Sequence, residues 1–213
     1  MKIFIAAAHG GGDPGAVANN TNEATECIKL VDEVVATLHP ITPPGKTIYK
    51  VPHELSGGLG VTYINKNSVT PHEDICIEIN MNSNQGTPGT GIETYYGYKP
   101  LAEVLQKNMV ATLKLADRGV KWGDNYYFNK ETRPMSALVE VGFINNINDL
   151  KVVREKGALA IAKGVADYIG LGLPTVPPPP LTRTDYQMVY TKARQVVREA
   201  RNNLQAFIDK YPE

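Results

Sequence analysis

Short apolar runs of strand character alternate along the first 170 residues with longer stretches of helical periodicity, and this alternation most constrains the fold. Strand signals fall at 2–8, 46–51, 74–80, 91–97 and 136–142, each rich in Ile, Val or Tyr or alternating in polarity. Between them, 23–38 places Ile28, Val31, Val34, Val35 and Leu38 on one face. Residues 99–116 begin with Pro100 in the first turn, and 147–170 carry Leu150, Val153, Ile161 and Val165 before Gly170. Parallel strands need a crossover of this length, and right-handed crossovers cover both faces of the sheet. The pattern predicts an α/β three-layer sandwich over 1–172, with a mixed, mostly parallel central sheet flanked by helices.

A Pro-rich linker is expected over 173–181, since Pro-Pro-Pro-Pro at 177–180 lacks amide donors and fixes φ. Beyond it, 182–213 reads as a C-terminal amphipathic helix. Its seam over 184–211, from Tyr186 through Tyr190, Ala193, Val197, Ala200 and Leu204 to Phe207 and Tyr211, has heptad spacing. It suits packing on its own domain, homo-oligomer formation, or docking into a particle.

With 22 basic and 22 acidic side chains, no global field draws the chain to nucleic acid or an anionic membrane. No apolar stretch has the length of a membrane span, so no membrane insertion is expected. The N-terminus opens as a strand without a signal-peptide pattern, which predicts cytoplasmic synthesis, with release by lysis or carriage in a phage-like particle. Cys27 and Cys76, in a predicted helix and strand, read as small buried residues.

The first strand runs into His9-Gly10-Gly11-Gly12-Asp13-Pro14-Gly15-Ala16. An imidazole and a glycine-rich turn at a strand's carboxyl end stand where open α/β sheets bind ligands. The glycines formally satisfy a dinucleotide fingerprint, but Pro14 and the Asn19–Asn22 cluster keep the chain irregular, and Asp32 and Glu33 fall within a helix. A metal site is the other reading. Glu23 opens the first helix, with Asp13, Glu26 and Glu33 as competing acids. Glu140 lies inside the apolar run Leu138–Phe143, where an unpaired carboxylate is costly without a functional reason or a partner.

Five segments in order resemble the zinc-dependent N-acetylmuramoyl-L-alanine amidases of cell-wall hydrolases and phage endolysins. They are the His9 turn, the Glu23 helix, Ile77–Ser83, Gly89–Tyr96, and Asp117–Lys121 leading to Leu138–Asn146. The resemblance implies His9 and Glu23 as zinc ligands and Glu140 as the catalytic carboxylate. The third ligand position, a histidine in the family, is Asn80 here, so the implied metal set is His9, Glu23 and Asn80, with weakened zinc affinity. Glu78 shares a strand face with Asn80 and reaches the site only from deeper in the strand. His39, His53 and His72 are expected to be exposed, and 83–90 to form a flexible rim. The implied function is that of a phage- or particle-associated peptidoglycan amidase, hydrolysing the amide bond between N-acetylmuramic acid and L-alanine. The alternative is a degenerate fold acting as a non-catalytic wall-binding or structural component.

Overall fold

The computed structural model describes residues 1–173. The proposed linker and C-terminal helix lie outside these residues, apart from residue 173. In chain order the elements are β1 (Lys2–Ala7), β2 (Val17–Ala18), β3 (Thr21–Asn22), α1 (Glu23–Leu38), β4 (Thr47–Lys50), α2 (Gly58–Asn67) and β5 (Ile75–Asn82). There follow β6 (Ile92–Tyr96), α3 (Lys99–Leu113), β7 (Asp117–Trp122), α4 (Tyr127–Glu131), β8 (Met135–Phe143) and α5 (Ile147–Tyr168). Six strands form one sheet in the order β4-β1-β5-β8-β6-β7, while β2 and β3 pair apart from it. Strands β4, β1, β5 and β8 are parallel; β6 runs antiparallel to β8, and β7 parallel to β6. The sheet is mixed and mostly parallel, as the alternation of strands and helices predicts. Among the described residues no helix is long and apolar enough to cross a membrane.

The five expected strands form with small shifts of boundary, and β2, β3, α2, β7 and α4 are additional to the expected elements. Strand β7 is an edge strand, largely exposed, reading Asp-Arg-Gly-Val-Lys-Trp. Pairing on one side only does not demand the apolar run that marks a central strand. Helix α2 carries Gly58, Gly60, Val61, Thr62 and Ile64, residues of modest helix propensity, and buries only Gly60, Val61 and Ile64. Helix α4 is a short turn of five residues. The third helix ends at Leu113 because Lys114 turns into the left-handed region.

The period of two along the central strands explains where a site can exist. One sheet face presents Ile3, Ile5, Ile75, Ile77, Ile79, Val139 and Val141 to a core shared with α1, α3 and α5. The other face is apolar only in its lower half, where Phe4, Ala6 and Cys76 pack with Val61, Ile64 and Phe128. Toward the carboxyl ends of β5 and β8 that second face turns polar, through Glu78, Asn80 and Glu140. Burial of Cys27 and Cys76, both free thiols, is as expected.

Candidate active site

Four elements converge at the carboxyl edge of the sheet. The chain leaves β1 and places His9 in the glycine turn. Helix α1 starts at Glu23, capped by the Asn22 side chain, which accepts from the Thr25 amide at 2.8 Å. Glu23 reaches across the turn: its Oε1 accepts from Met81 N at 3.0 Å and its Oε2 from Ala16 N at 3.3 Å. These bonds fix Glu23 between the His9 turn and β5. Gly15 is obligatory here. Its φ is +62°, and a Cβ would lie 2.7 Å from the His9 ring and 2.9 Å from the Glu23 Cβ.

His9 Nδ1 lies 2.8 Å from Asp13 Oδ2, and Asp13 Oδ1 accepts from Gly15 N at 3.0 Å. The His9 hydrogen bond, helped by the Gly15 amide, holds the Asp13 carboxyl below its ordinary range. The other ring nitrogen, Nε2, faces Glu23 Oε2 at 3.4 Å. Asp13 therefore orients His9, a role distinct from the competing ligand that the sequence suggests.

Asn80 and Glu140 are direct partners across the β5–β8 ladder, and Glu140 is in turn paired with Glu93 of β6. Glu140 is more than nine-tenths buried, and its Oε2 has no hydrogen-bond partner. Burial first, then the charges of Glu23, Glu93 and Glu78, push its carboxyl up to about 8. Glu78, two residues before Asn80 on the same face, accepts from Asn80 Nδ2 at 3.3 Å. Burial raises it to about 7, with Glu23 pushing the same way and the Asn80 bond and His9 opposing. The structure thus brings His9, Glu23, Asn80 and Glu140 to one edge, with Glu78 among them.

Glu93 stands apart electrostatically, a feature the sequence reading missed. Arg118 Nε donates to its Oε2 at 2.9 Å, Lys121 pairs with the same oxygen, and Asn82 Nδ2 donates to its Oε1 at 2.7 Å. Burial works against its charge, but the Lys121 and Arg118 bonds prevail and hold it below its ordinary range. The signal was an acid in the apolar alternation Ile92-Glu93-Thr94, the same clue that marks Glu140. Within the expected rim over 83–90, Gly89 N donates to Asn84 Oδ1 at 2.9 Å, and Asn146 Nδ2 donates to Gly89 O at 2.9 Å. His53 is also not simply exposed, since its Nε2 is 3.0 Å from Asp32 Oδ1 and its side chain is 23% accessible.

The zinc ion that the resemblance implies can be tested against these donors. His9 Nε2 and Glu23 Oε2 are 3.4 Å apart. Two donors at zinc bond lengths of about 2.1 Å in a tetrahedron stand about 3.4 Å from each other. These two corners fit a divalent cation, and the Asp13–His9 bond is the support such a ligand needs. The third corner offers the amide of Asn80, a weak donor for zinc. Among the described residues, no three His, Cys, Asp or Glu side chains converge on a metal position as they stand. The set fits a divalent cation with two strong donors and one weak one.

The fold and site define a class: an open α/β sheet with an imidazole–carboxylate pair and a buried carboxyl at its carboxyl edge, a combination suited to hydrolysis. The N-acetylmuramoyl-L-alanine amidase family pattern matches residues 3–170, and the chain belongs to that family. It is 29% identical over 184 residues to the amidase LytC of Bacillus subtilis, an alignment covering 78% of this chain and 35% of LytC. The sporulation-specific amidase of B. subtilis is 27% identical over 180 residues, with 78% of this chain and 66% of that protein covered. The chain thus spans about a third of LytC. The crystal structure of an N-acetylmuramoyl-L-alanine amidase from Clostridium difficile 630 superposes with a TM-score of 0.69 at 25% identity, covering 79% of this chain and 96% of that one. AmiC2 of Nostoc punctiforme shares the fold, with a TM-score of 0.70 at 23% identity and coverage of 80% and 97%.

Proposed function

We propose that the chain hydrolyses the amide bond between N-acetylmuramic acid and L-alanine in peptidoglycan. The observation that carries this reading is Glu140, buried with an unpartnered oxygen at the sheet edge beside the His9–Glu23 pair. A carboxyl poised near neutrality can take a proton from an attacking water and return it to the leaving amine. His9, Glu23 and Asn80 would hold a zinc ion, which when bound supplies Lewis acidity at this edge. Asp13 keeps the His9 ring aligned, and Gly15 leaves room for that ring beside Glu23. Beside this edge, Thr90 and Gly91 are anchored by hydrogen bonds to the buried Asp149.

A second reading, a wall-binding module without catalysis, draws on one observation, the neutral amide of Asn80 at the third corner. Incubation of metal-supplemented protein with an N-acetylmuramoyl-dipeptide separates the two. Release of a peptide with a free L-alanine amino group supports the amidase. Binding to sacculi with no release supports the module.

A further inference from the structure

We infer that Arg118 and Lys121 form a subsite for a carboxylate of the substrate's peptide, on the L-alanine side of the bond to be cleaved. Resting on the amidase reading for its substrate, this subsite gives that reading a specificity: a preference for an acidic residue after L-alanine. In an N-acetylmuramoyl peptide the sugar's one carboxyl is tied up in the scissile amide, so free carboxylates lie on the peptide side.

Charge and position both single out this pair. Glu93 Oε2 takes both cations, while its Oε1 accepts from Asn82 Nδ2 at 2.7 Å and from Tyr95 Oη at 3.2 Å. One cation balances the buried Glu93 carboxylate. The second leaves a unit of positive charge where the Arg118 and Lys121 side chains are 39% and 40% exposed. Asp117, next to Arg118, is occupied by Gln106 Nε2 and Gly119 N. Elsewhere along this edge an incoming carboxylate meets the acids Glu23, Glu78 and Glu140. Glu93 and Glu140 are direct partners on neighbouring strands, which places their Cβ atoms about 5 Å apart. The cations reach back from β7 to Glu93, and so stand one strand from Glu140. An extended peptide advances about 3.3–3.6 Å per residue, so a carboxylate on the residue after L-alanine lies about 7 Å from the scissile amide. That reach matches the step from Glu140 to the cation pair.

Both side chains are held ready before any ligand arrives. Arg118 Cζ lies 5.1 Å from the Phe143 ring centroid, and a Cβ on Gly91, whose φ is +108°, would stand 3.0 Å from Arg118 Cδ. The Gly91 amide donates to Asp149 at 3.0 Å, which fixes the backbone against which the arginine stem rests. Arg118 donates to Glu93 through Nε, which leaves its two Nη nitrogens for an end-on grip on a carboxylate. Lys121 Nζ lies 5.6 Å from the Tyr95 ring centroid and carries three N–H donors for its bond to Glu93 and a ligand. Cations fixed in this way lose little freedom on capturing an anion.

The test compares kcat and KM for N-acetylmuramoyl-L-alanyl-D-glutamate and its diamide, on metal-supplemented wild type, Arg118→Gln, Lys121→Met and Arg118→Lys. Each variant keeps at least one cation on Glu93, so the buried carboxylate stays paired. Wild type should prefer the acid at least tenfold in kcat/KM, mainly through KM. The preference should fall at least fivefold in Arg118→Gln and in Lys121→Met, and recover in part in Arg118→Lys. If the two cations only supported Glu93, both substrates would suffer equally and the ratio would keep its wild-type value. No preference in wild type, or an undiminished ratio in either Arg118→Gln or Lys121→Met, overturns the inference. Binding of the two dipeptides is measured by calorimetry on the same samples. Cleavage without preference removes the subsite and leaves the amidase reading, whereas Arg118-dependent selective binding of the acid without cleavage does the opposite.

Discussion

Glu140→Gln should make the metal-free protein more stable at alkaline pH while disabling it. Native Glu140 keeps its proton up to about 8, whereas an unfolded glutamate releases it near 4.5. Between these values the native state binds more protons, so stability falls as pH rises from about 4.5 to about 8. The gap from 4.5 to about 8 corresponds to a ceiling of about 5 kcal/mol for Glu140 titrating alone. Glutamine removes the charge but places an amide nitrogen where Oε2 has no partner, a cost of about 1–2 kcal/mol. The net gain at pH 8 is therefore about 3 kcal/mol, which for a chain of this size raises Tm by roughly 6–12 °C. At pH 5 the two proteins should melt within a few degrees of each other. Glu78, raised to about 7, keeps its own titration, so the variant's pH slope should shrink rather than vanish. The assay is thermal melting in chelator from pH 5 to 8.5, followed by circular dichroism. Parallel pH slopes for the two proteins, or a variant less stable at pH 8, would refute the reasoning that Glu140 is an uncompensated buried carboxyl.

Asp13→Ala removes the 2.8 Å support of His9 and should lower divalent-metal affinity about 10- to 100-fold, read by titration, with little change in fold. Gly15→Ala forces a Cβ into the His9 ring and Glu23 from a left-handed backbone, and should abolish metal binding and cost at least about 1 kcal/mol in chemical denaturation. Arg154→Ala removes two hydrogen bonds to the buried Glu26, of which the Nε bond is 3.0 Å. Arg154 holds Glu26 below its ordinary range, so that stability is present above 4.5 and is lost as pH falls through the lowered value. Because Arg154 is 43% exposed, the loss at pH 7 should be no more than about 1 kcal/mol, shrinking toward pH 3 in urea titrations.

Much of the fold could be read from periodicity. Central strands such as Lys2–Ala7 are buried on both faces and so announce themselves as apolar runs. Strand β7 and helix α2 escaped notice because their stability comes from neighbours, β6 for the one and the Phe4–Cys76 sheet face for the other. At the site, Glu140 was legible because an acid in an apolar strand needs a reason. Glu93 carried the same signal, but its partners Arg118 and Lys121 come from another strand, and spacing along the chain does not show that pairing. Asp13 was visible as an acid but not as the support of His9, since that role depends on how the glycine turn folds back. Glu78 and Asn80 could be placed on one face from the strand period, while the bond between them required the structure.

The proposed activity is cleavage of the muramoyl–L-alanine amide at the His9–Glu23–Glu140 edge. Its most direct test is the release of L-alanine amino groups from purified sacculi, quantified by amino-terminal labelling, with wild type and Glu140→Gln both supplied with Mn2+ or Zn2+. Labelled N-terminal alanine should appear steadily with wild type, and its release should fall at least a hundredfold with the variant. No alanine release by wild type with either metal, or equal release by the folded variant, would contradict it.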